Sequence, residues 1–466
     1  MADSRAGIQP RQLFSLAFGT MVGIAWVFLA GPWIRAAGPM GTVLALFGGG
    51  VAILPIVGCY ARLAARFPGD GGEIRYVGET LGPIGGLAAG WLLAFCYITV
   101  VAFHCVMVAW LVDVSITNFG AAFGVSAIHS YVAGIGVSTT LFAGVVLSSL
   151  LGVTVTTGVQ DVVVGVLIVA ILLLCAGAVE FGNLGNLHPY FASIGGENIR
   201  GIAQVLATTP FLYAGFNIAA QGVGDLRAGG AGYVRTALGG AVIAAAAFYS
   251  IIILSITAAL PRSLLLAQPM PALDAFAASF HSRMAVGSVA AVALVALATS
   301  WNGVFFGAWK VLKSLAAKGL LPSFLGTTAG KGSQSPGAII LVTAVAAVLT
   351  LGGRKGLSGI IDSSALMFGL IFSLVCAGDL LTRDSAGRGK GVGGVKVMIS
   401  KVLGFCAALC ITAIAFGAGF DLNSIPMSLL VDLGWLAALI PFAAVRWRKL
   451  KRSALVGRPE GPWGHQ

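Results

Sequence analysis

The stretch Gly19-Thr-Met-Val-Gly-Ile-Ala-Trp26 puts two glycines inside an apolar run, where a plain lipid-spanning helix would carry Leu or Ile. A second interruption, "TTPFLYAGFNIAAQG", carries Pro210 and Gly215 inside a later run. Unwinding a helix in lipid frees backbone N–H and C=O groups, and each is costly unless protein, water or a ligand satisfies it. The chemistry such breaks offer is zwitterion binding. Freed amides and a half-helix N-terminus attract a carboxylate, while freed carbonyls and the opposing C-terminus attract an ammonium. Gly23 lets a ligand approach the backbone closely. The G-x-x-x-G spacing serves equally as a helix-packing face, and the residues alone leave both readings open.

Isolated polar residues within apolar runs are the next candidates. His104 sits mid-run in "YITVVAFHCVMVAW". It is a candidate proton carrier, or a neutral ring bonded to a carbonyl on a neighbouring helix. Thr299 and Ser300 offer hydroxyls, whose ordinary role is a bond to the preceding helical turn. Asp161 complements a helix N-terminus. Asp362 is expected as a cap near an outer helix start, with a gate contact as the alternative. The histidines at 104, 129, 188, 281 and 465 have no H-E-x-x-H spacing, intramembrane aspartates are not paired, and no Walker motif is present. An enzyme is therefore not expected: no catalytic residue, metal site or cofactor is assigned. A channel would need a repeated filter or charged ring, which the sequence lacks. The seven cysteines include no C-x-x-C pair and read as small apolar filler.

The elements that position these residues must be membrane helices. The 466 residues are 58% hydrophobic and only 9% charged, with a mean hydropathy of +0.96. Water-soluble chains carry roughly 25% charged residues. Apolar runs of about 20 residues, enough to cross a bilayer, recur throughout. The alternation of a β-barrel is absent. Hydropathy predicts about twelve spans: 12–36, 40–66, 84–115, 130–153, 158–180, 199–222, 234–260, 284–316, 337–353, 357–382, 395–418 and 427–446. With the N-terminus inside, only Arg35, Arg200, Arg262, Arg283, Arg354 and Lys355 fall outside, leaving 22 of the 28 basic residues inside. The positive-inside rule then puts both termini in the cytoplasm. The net charge of +12 needs no nucleic acid, and the tail "RWRKLKRSALVGR" is expected against anionic headgroups. Two interrupted spans five helices apart point to a midplane site between two inverted halves.

Several motifs resemble the amino acid permeases of the amino acid–polyamine–organocation (APC) superfamily. "GTMVGIAWVFLAGPWIRAAGP" is similar to their first helix, G-S-x-I-G-x-G followed by A-G-P. Gly19, Thr20, Val22, Gly23 and Ala37-Gly38-Pro39 match, with Ala25 in place of the last Gly. "YARLAARFPGDGGEIRYVGETLGPIGGLAAGW" resembles P-x-x-G-G-x-Y-x-Y…L-G-P…G-W. There Pro68, Gly71, Gly72, Tyr76, Leu81, Gly82, Pro83, Gly90 and Trp91 match, and Ile74 replaces the first Tyr. "SWNGVFFGAWKVLKSLAAKGLLPSFLG" resembles the eighth helix and its loop through Lys310, Leu312, Ala316, Gly319, Leu321 and Pro322. The resemblance spans about residues 12–382.

It implies an all-α membrane protein of LeuT-type fold, with a 5+5 inverted repeat and two further helices. The expected domains are a cytoplasmic tail 1–11, a ten-helix core 12–382, two helices within 383–446 and a basic tail 447–466. The implied function is secondary transport of an amino acid or related organic amine by alternating access. A non-transporting sensor of the same ligands is the alternative. Amides near Gly23, Ile24 and Ala25 would hold the carboxylate, beside Thr20. Carbonyls of Met21, Phe211 and Ala214 would face the ammonium. Phe211 or Tyr213 would supply an aromatic lid. Asn217 stands where many relatives have Asp or Glu, which puts coupling or substrate in doubt. Leu167 stands near a lysine of some proton-coupled relatives, so no lysine substitutes for sodium there. Thr299 and Ser300 lie where sodium-dependent members of the fold place hydroxyl ligands. A coupling proton or sodium ion is thus left open. Arg62, Arg66, Asp70, Glu73 and Arg75 read as a solvated loop or as an inner gate network. The expected setting is the plasma membrane, as a monomer or homodimer.

Overall fold

The computed structural model describes residues 10–23, 25–67, 71–120, 127–151, 157–192, 196–221, 231–268, 270–280, 283–328, 334–382, 392–418 and 427–455. Among these there is no strand. The helices run in order: α1 (Pro10–Met21), α2 (Ala25–Arg66), α3 (Gly72–Gly120), α4 (Ala127–Leu151), α5 (Thr157–Glu180), α6 (Gly196–Ala207), α7 (Thr209–Leu212) and α8 (Gly215–Gln221). Then follow α9 (Ala231–Ala259), α10 (Arg262–Ala267), α11 (Pro271–Ser279), α12 (Arg283–Ala317), α13 (Pro336–Thr350), α14 (Leu357–Leu381), α15 (Val392–Ala418) and α16 (Met427–Leu455).

Among the described residues, nine helices are long and apolar enough to cross a membrane, and Val164–Glu180 and Pro336–Thr350 are shorter apolar helices. The remaining span is made of α1 and the first part of α2. The expected span 12–36 is therefore two helical pieces, and α2 carries on into the next span across a sharp bend. That bend is Gly38, at φ 74° and ψ 171°. Only glycine adopts this geometry without strain. A Cβ there would also lie 2.6 Å from the Phe191 backbone. Pro39 then starts the second half, where its missing N–H costs nothing. The same device recurs at Gly82-Pro83, with Gly82 at φ 84°. The helix expected from residue 84 accordingly begins at Gly72 and bends at Gly82.

α1 packs against α5, α8, α9 and α12, and α3 against α4, α12 and α14. The centre is aromatic: Trp26, Tyr60, Tyr97, Tyr213, Tyr249, Phe216, Trp301 and Trp309 are fully buried. α3 is buried along nearly its whole apolar length, whereas α4, α15 and α16 present most of theirs outward. Leu151, Ile399, Leu403 and Ile440 are exposed there, as a lipid-facing surface requires. α16 is fastened to α3 by a reciprocal exchange. The Trp91 indole donates to the Trp435 carbonyl at 3.0 Å and the Trp435 indole to the Trp91 carbonyl at 3.1 Å, with stacked rings 4.6 Å apart. All seven cysteines are free; five are buried, and Cys406 and Cys410 are exposed.

Two of the charged residues grouped after the second span are drawn into the bundle, while Arg66 is exposed. Arg62 donates through Nη2 and Nε to Asp379 of α14, at 2.6 and 2.9 Å, and through Nη1 to Ser400 of α15 at 3.1 Å. Glu73 is completely buried. Asp70 lies outside the described residues. At the opposite end, Arg354 pairs with Asp113 and lies over the Trp110 ring. Asp362 is on the second turn of α14, exposed, so it is not the cap; the cap position is Gly356.

Candidate functional site

Two helix breaks face each other at mid-bundle. α1 ends at Met21, Val22 and Gly23 form a bend, and α2 starts at Ala25. Ile24 lies outside the described residues. In the later run, α6, α7 and α8 are one span broken at Thr208 and again at Tyr213–Ala214. Gly215 is what lets the two breaks meet. A Cβ there would lie 2.5 Å from the Met21 nitrogen and 2.8 Å from the Ala17 carbonyl oxygen.

Between the breaks is a cavity of about 50 Å³, lined by Thr20, Met21, Gly23, Ala25, Phe211, Leu212, Ala214, Gly215, Ile218, His104 and Ser300, with Tyr97, Val100, Phe103, Tyr249, Val304 and Phe368. No charged side chain is among these. The volume suffices for only a few waters, so the surrounding helices must part to admit anything of amino-acid size.

The α1–α2 break is tied down by side chains from other helices. Tyr249 of α9 donates its hydroxyl to the Met21 carbonyl at 2.7 Å. The Gly23 amide reaches the same carbonyl at 2.9 Å. The Met21 carbonyl and the Gly23 amide, expected as ligand contacts, are thus already engaged. At the N-terminus of α2, the amides of the first turn, starting at Ala25, have no intrahelical acceptor. Thr20 bonds its own helix, donating to the Leu16 carbonyl at 2.7 Å.

His104 and Ser300 join the same cluster. His104 Nδ1 lies 2.6 Å from the Val100 carbonyl of its own helix, and Nε2 lies 3.2 Å from Ser300 Oγ. The expected carbonyl on a neighbouring helix is replaced by one in the preceding turn, because four residues of helix place it directly below the ring. The ring stacks on Trp301, 6.0 Å away. Ser300 does not bond the preceding turn of its own helix. Its hydroxyl reaches across to the Thr20 carbonyl at 3.4 Å. The break in α1 exposes that acceptor. Thr299 is the preceding residue of α12; its side chain lies outside the described residues, as does that of Asp161.

Two expected site residues turn away from the cavity. Tyr213 buries its ring against Tyr249 and donates to the Leu46 carbonyl at 2.8 Å, so of the two expected aromatics only Phe211 lines the cavity. Asn217 lies behind the lining, where its Nδ2 donates to Glu73 Oε1 at 2.8 Å and to the Tyr97 hydroxyl at 3.1 Å. A carboxylate from α3 thus lies next to the Asn217 amide. Tyr97, Phe103, Tyr249 and Phe368 line the cavity with no sequence motif to mark them. Tyr97, Val100 and His104 do recur at helical spacing, a signal that points to the first of them.

Two half-helix breaks facing one another over a shared cavity, within a bundle of about twelve helices, define a LeuT-type transporter fold. The crystal structure of MhsT in complex with L-phenylalanine superposes with a TM-score of 0.62, over 88% of this chain and 98% of that one, at 15% identity. A family model described as amino acid permease matches residues 8–432. The chain belongs to the amino acid permease family. Amino-acid permease RocE of Bacillus subtilis (strain 168) is 33% identical over 85 residues, 18% of each chain. Amino-acid permease RocC of the same organism is 28% identical over 128 residues, 26% of this chain and 27% of that one. Its glutamate/serine transporter AimA is 32% identical over 89 residues, 19% of this chain and 16% of that one. The aligned stretches thus cover at most about a quarter of these relatives.

Proposed function

We propose that the protein is a secondary transporter that moves an amino acid or related organic amine across the plasma membrane by alternating access, with both termini cytoplasmic. The observation that carries this reading is the meeting of the two breaks, with Met21 backbone against Gly215, beside a cavity lined by both. The substrate carboxylate is held at the N-terminus of α2, near Gly23 and Ala25. Its ammonium lies toward the carbonyls of α1 and of Phe211 and Ala214. Phe211 and Phe103, in contact at 5.6 Å between rings, close over the side chain. The complex of MhsT with L-phenylalanine supports an amino acid as the ligand class of a protein with this fold. Purified protein in liposomes tests the proposal: an amino acid that raises the melting temperature dose-dependently must also accumulate inside. Binding without uptake would instead favour a sensor.

A proton is the coupling ion that the geometry favours. A neutral His104 with its proton on Nδ1, toward Val100, accepts the Ser300 hydroxyl at Nε2. A protonated His104 donates from both nitrogens and turns the Ser300 hydroxyl onto the Thr20 carbonyl. Charge on the ring thereby reaches the α1 break through one hydroxyl. With no charged side chain in the lining, the substrate carboxylate is the natural counter-charge. His104→Gln should abolish pH-driven accumulation while leaving exchange intact. Unchanged pH-driven uptake in that variant would return His104 to a structural role, and sodium-stimulated uptake in the wild type would transfer coupling to Thr299 and Ser300.

A further inference from the structure

A second cavity lies on the outside of the bundle. It is a groove of about 540 Å³ between α2, α9 and α15, roughly ten times the volume of the central one. Its apolar walls come from residues such as Leu54 and Leu403, and Leu403 belongs to the exposed, lipid-facing surface of α15. Gly239 keeps the groove open: a Cβ there would meet only Leu54 Cδ2, at 3.9 Å. Arg235, near the start of α9, and Lys396, near the start of α15, both line it and both are exposed. Among the described residues neither has a carboxylate or hydrogen-bond partner. Polar acceptor and donor groups lie on the groove wall as well. Pro55 has no N–H to offer the Val51 carbonyl one turn earlier, and Ser400 keeps its hydroxyl proton while accepting from Arg62.

We infer that this groove is a binding site for one anionic phospholipid of the leaflet in which α9 and α15 begin. The phosphate headgroup sits between Arg235 and Lys396, with Ser400 as a donor, and an acyl chain lies in the channel beside Gly239. Annular lipid alone would not need a recess. Two cations without a partner among the described residues, lining an apolar channel, match a molecule with a charged head and an apolar tail, and basic pockets between spanning helices select such heads electrostatically. Because Ser400 also accepts from the guanidinium paired with Asp379, the headgroup touches the bond that ties α2 to α14.

The test is native mass spectrometry of delipidated full-length protein titrated with phosphatidylglycerol, with phosphatidylcholine, and with inorganic phosphate as competitor. Wild-type protein should retain one phosphatidylglycerol in preference to phosphatidylcholine, undisplaced by phosphate. Arg235→Gln with Lys396→Gln should weaken that adduct about 30-fold, from two basic contacts. Lys310→Gln with Lys355→Gln, removing two exposed charges elsewhere, should leave it unchanged. Gly239→Phe, which fills the channel without altering charge, should also remove it. Equal retention of both lipids, retention by the Arg235/Lys396 variant, or retention by Gly239→Phe would each overturn the inference. Displacement by inorganic phosphate would reassign the site to a soluble anion.

Discussion

The two breaks that meet at the centre are held in different ways. The turn between α7 and α8 closes on itself. The Leu212 amide bonds Thr208 at 3.1 Å, Tyr213 bonds Thr209 at 3.0 Å, Ala214 bonds Phe211 at 3.4 Å and Phe216 bonds Tyr213 at 3.3 Å. The break between α1 and α2 has the local Gly23–Met21 bond but draws on its neighbours as well: its carbonyls accept from Tyr249 on α9 and Ser300 on α12. A backbone satisfied locally keeps its shape wherever the helix goes. A backbone satisfied by other helices changes when they move. The first is suited to be a fixed wall and the second to sense and transmit motion, since coupling requires an element that neighbouring groups bias.

The largest expected effect falls on the α1–α2 break. Gly23→Leu projects a side chain toward Ser300, whose Oγ would lie 3.6 Å from the new Cβ. Affinity for the substrate should fall about 100-fold or more, equivalent to ~3 kcal/mol, in protein that still elutes as a single peak. Gly136→Leu, on an exposed face with nothing within 4 Å, should bind normally. Wild-type affinity in Gly23→Leu would reduce G-x-x-x-G to a packing face.

Next is the contact between the breaks. Gly215→Ala forces a methyl into the Met21 and Ala17 backbone and should destabilise by about 1–3 kcal/mol, read as a lower melting temperature in detergent. An unchanged melting temperature would mean that the two breaks are not in close contact.

The comparison is sharpened most directly by a matched pair. Tyr249→Phe leaves the Met21 carbonyl without its cross-helix donor, a loss of about 1 kcal/mol, and should weaken substrate binding by roughly fivefold. Tyr213→Phe removes a bond of similar length to Leu46, away from the cavity, and should lower stability while sparing affinity. Equal losses of affinity in both would erase the distinction drawn between the breaks.

The smallest effect lies where α11 packs over the first half of α2, Pro271 against Gly31. Burial raises the Asp274 carboxyl above its ordinary value, and its Oδ2 has no partner among the described residues. The folded protein therefore holds this proton more tightly than the unfolded chain. The stability it adds is full at low pH and is lost as pH rises from the ordinary carboxylate range through the raised value. Asp274→Asn should flatten that slope in melting temperature against pH, and an unaltered slope would show that Asp274 does not contribute to it.

The spans and both breaks are legible because glycine and proline interrupt otherwise continuous apolar runs. The A-G-P motif at 37–39 announces a bend, and Gly38 takes the positive φ that only glycine tolerates. Apolar periodicity is uninformative about rotation when every face of a helix is apolar. Nothing in the sequence therefore marks Phe368 or Tyr249, and only the assembled bundle turns them toward the cavity. Likewise Glu73 and Asn217 lie 144 positions apart, and nothing local in either stretch pairs them. Ser300 misleads a local reading because the acceptor it uses exists only once α1 is broken.

The Trp91–Trp435 exchange bears on how the molecule is put together during synthesis. α16 leaves the ribosome after α3, and the apolar part of its surface is almost wholly outward-facing. In a bilayer, apolar contact gives little drive for one helix to seek another, so a helix like this could enter the membrane and drift. Two indoles that each answer the other's carbonyl define one rotation and one depth. They give α16 a single address on α3, which is already surrounded by earlier helices when α16 arrives.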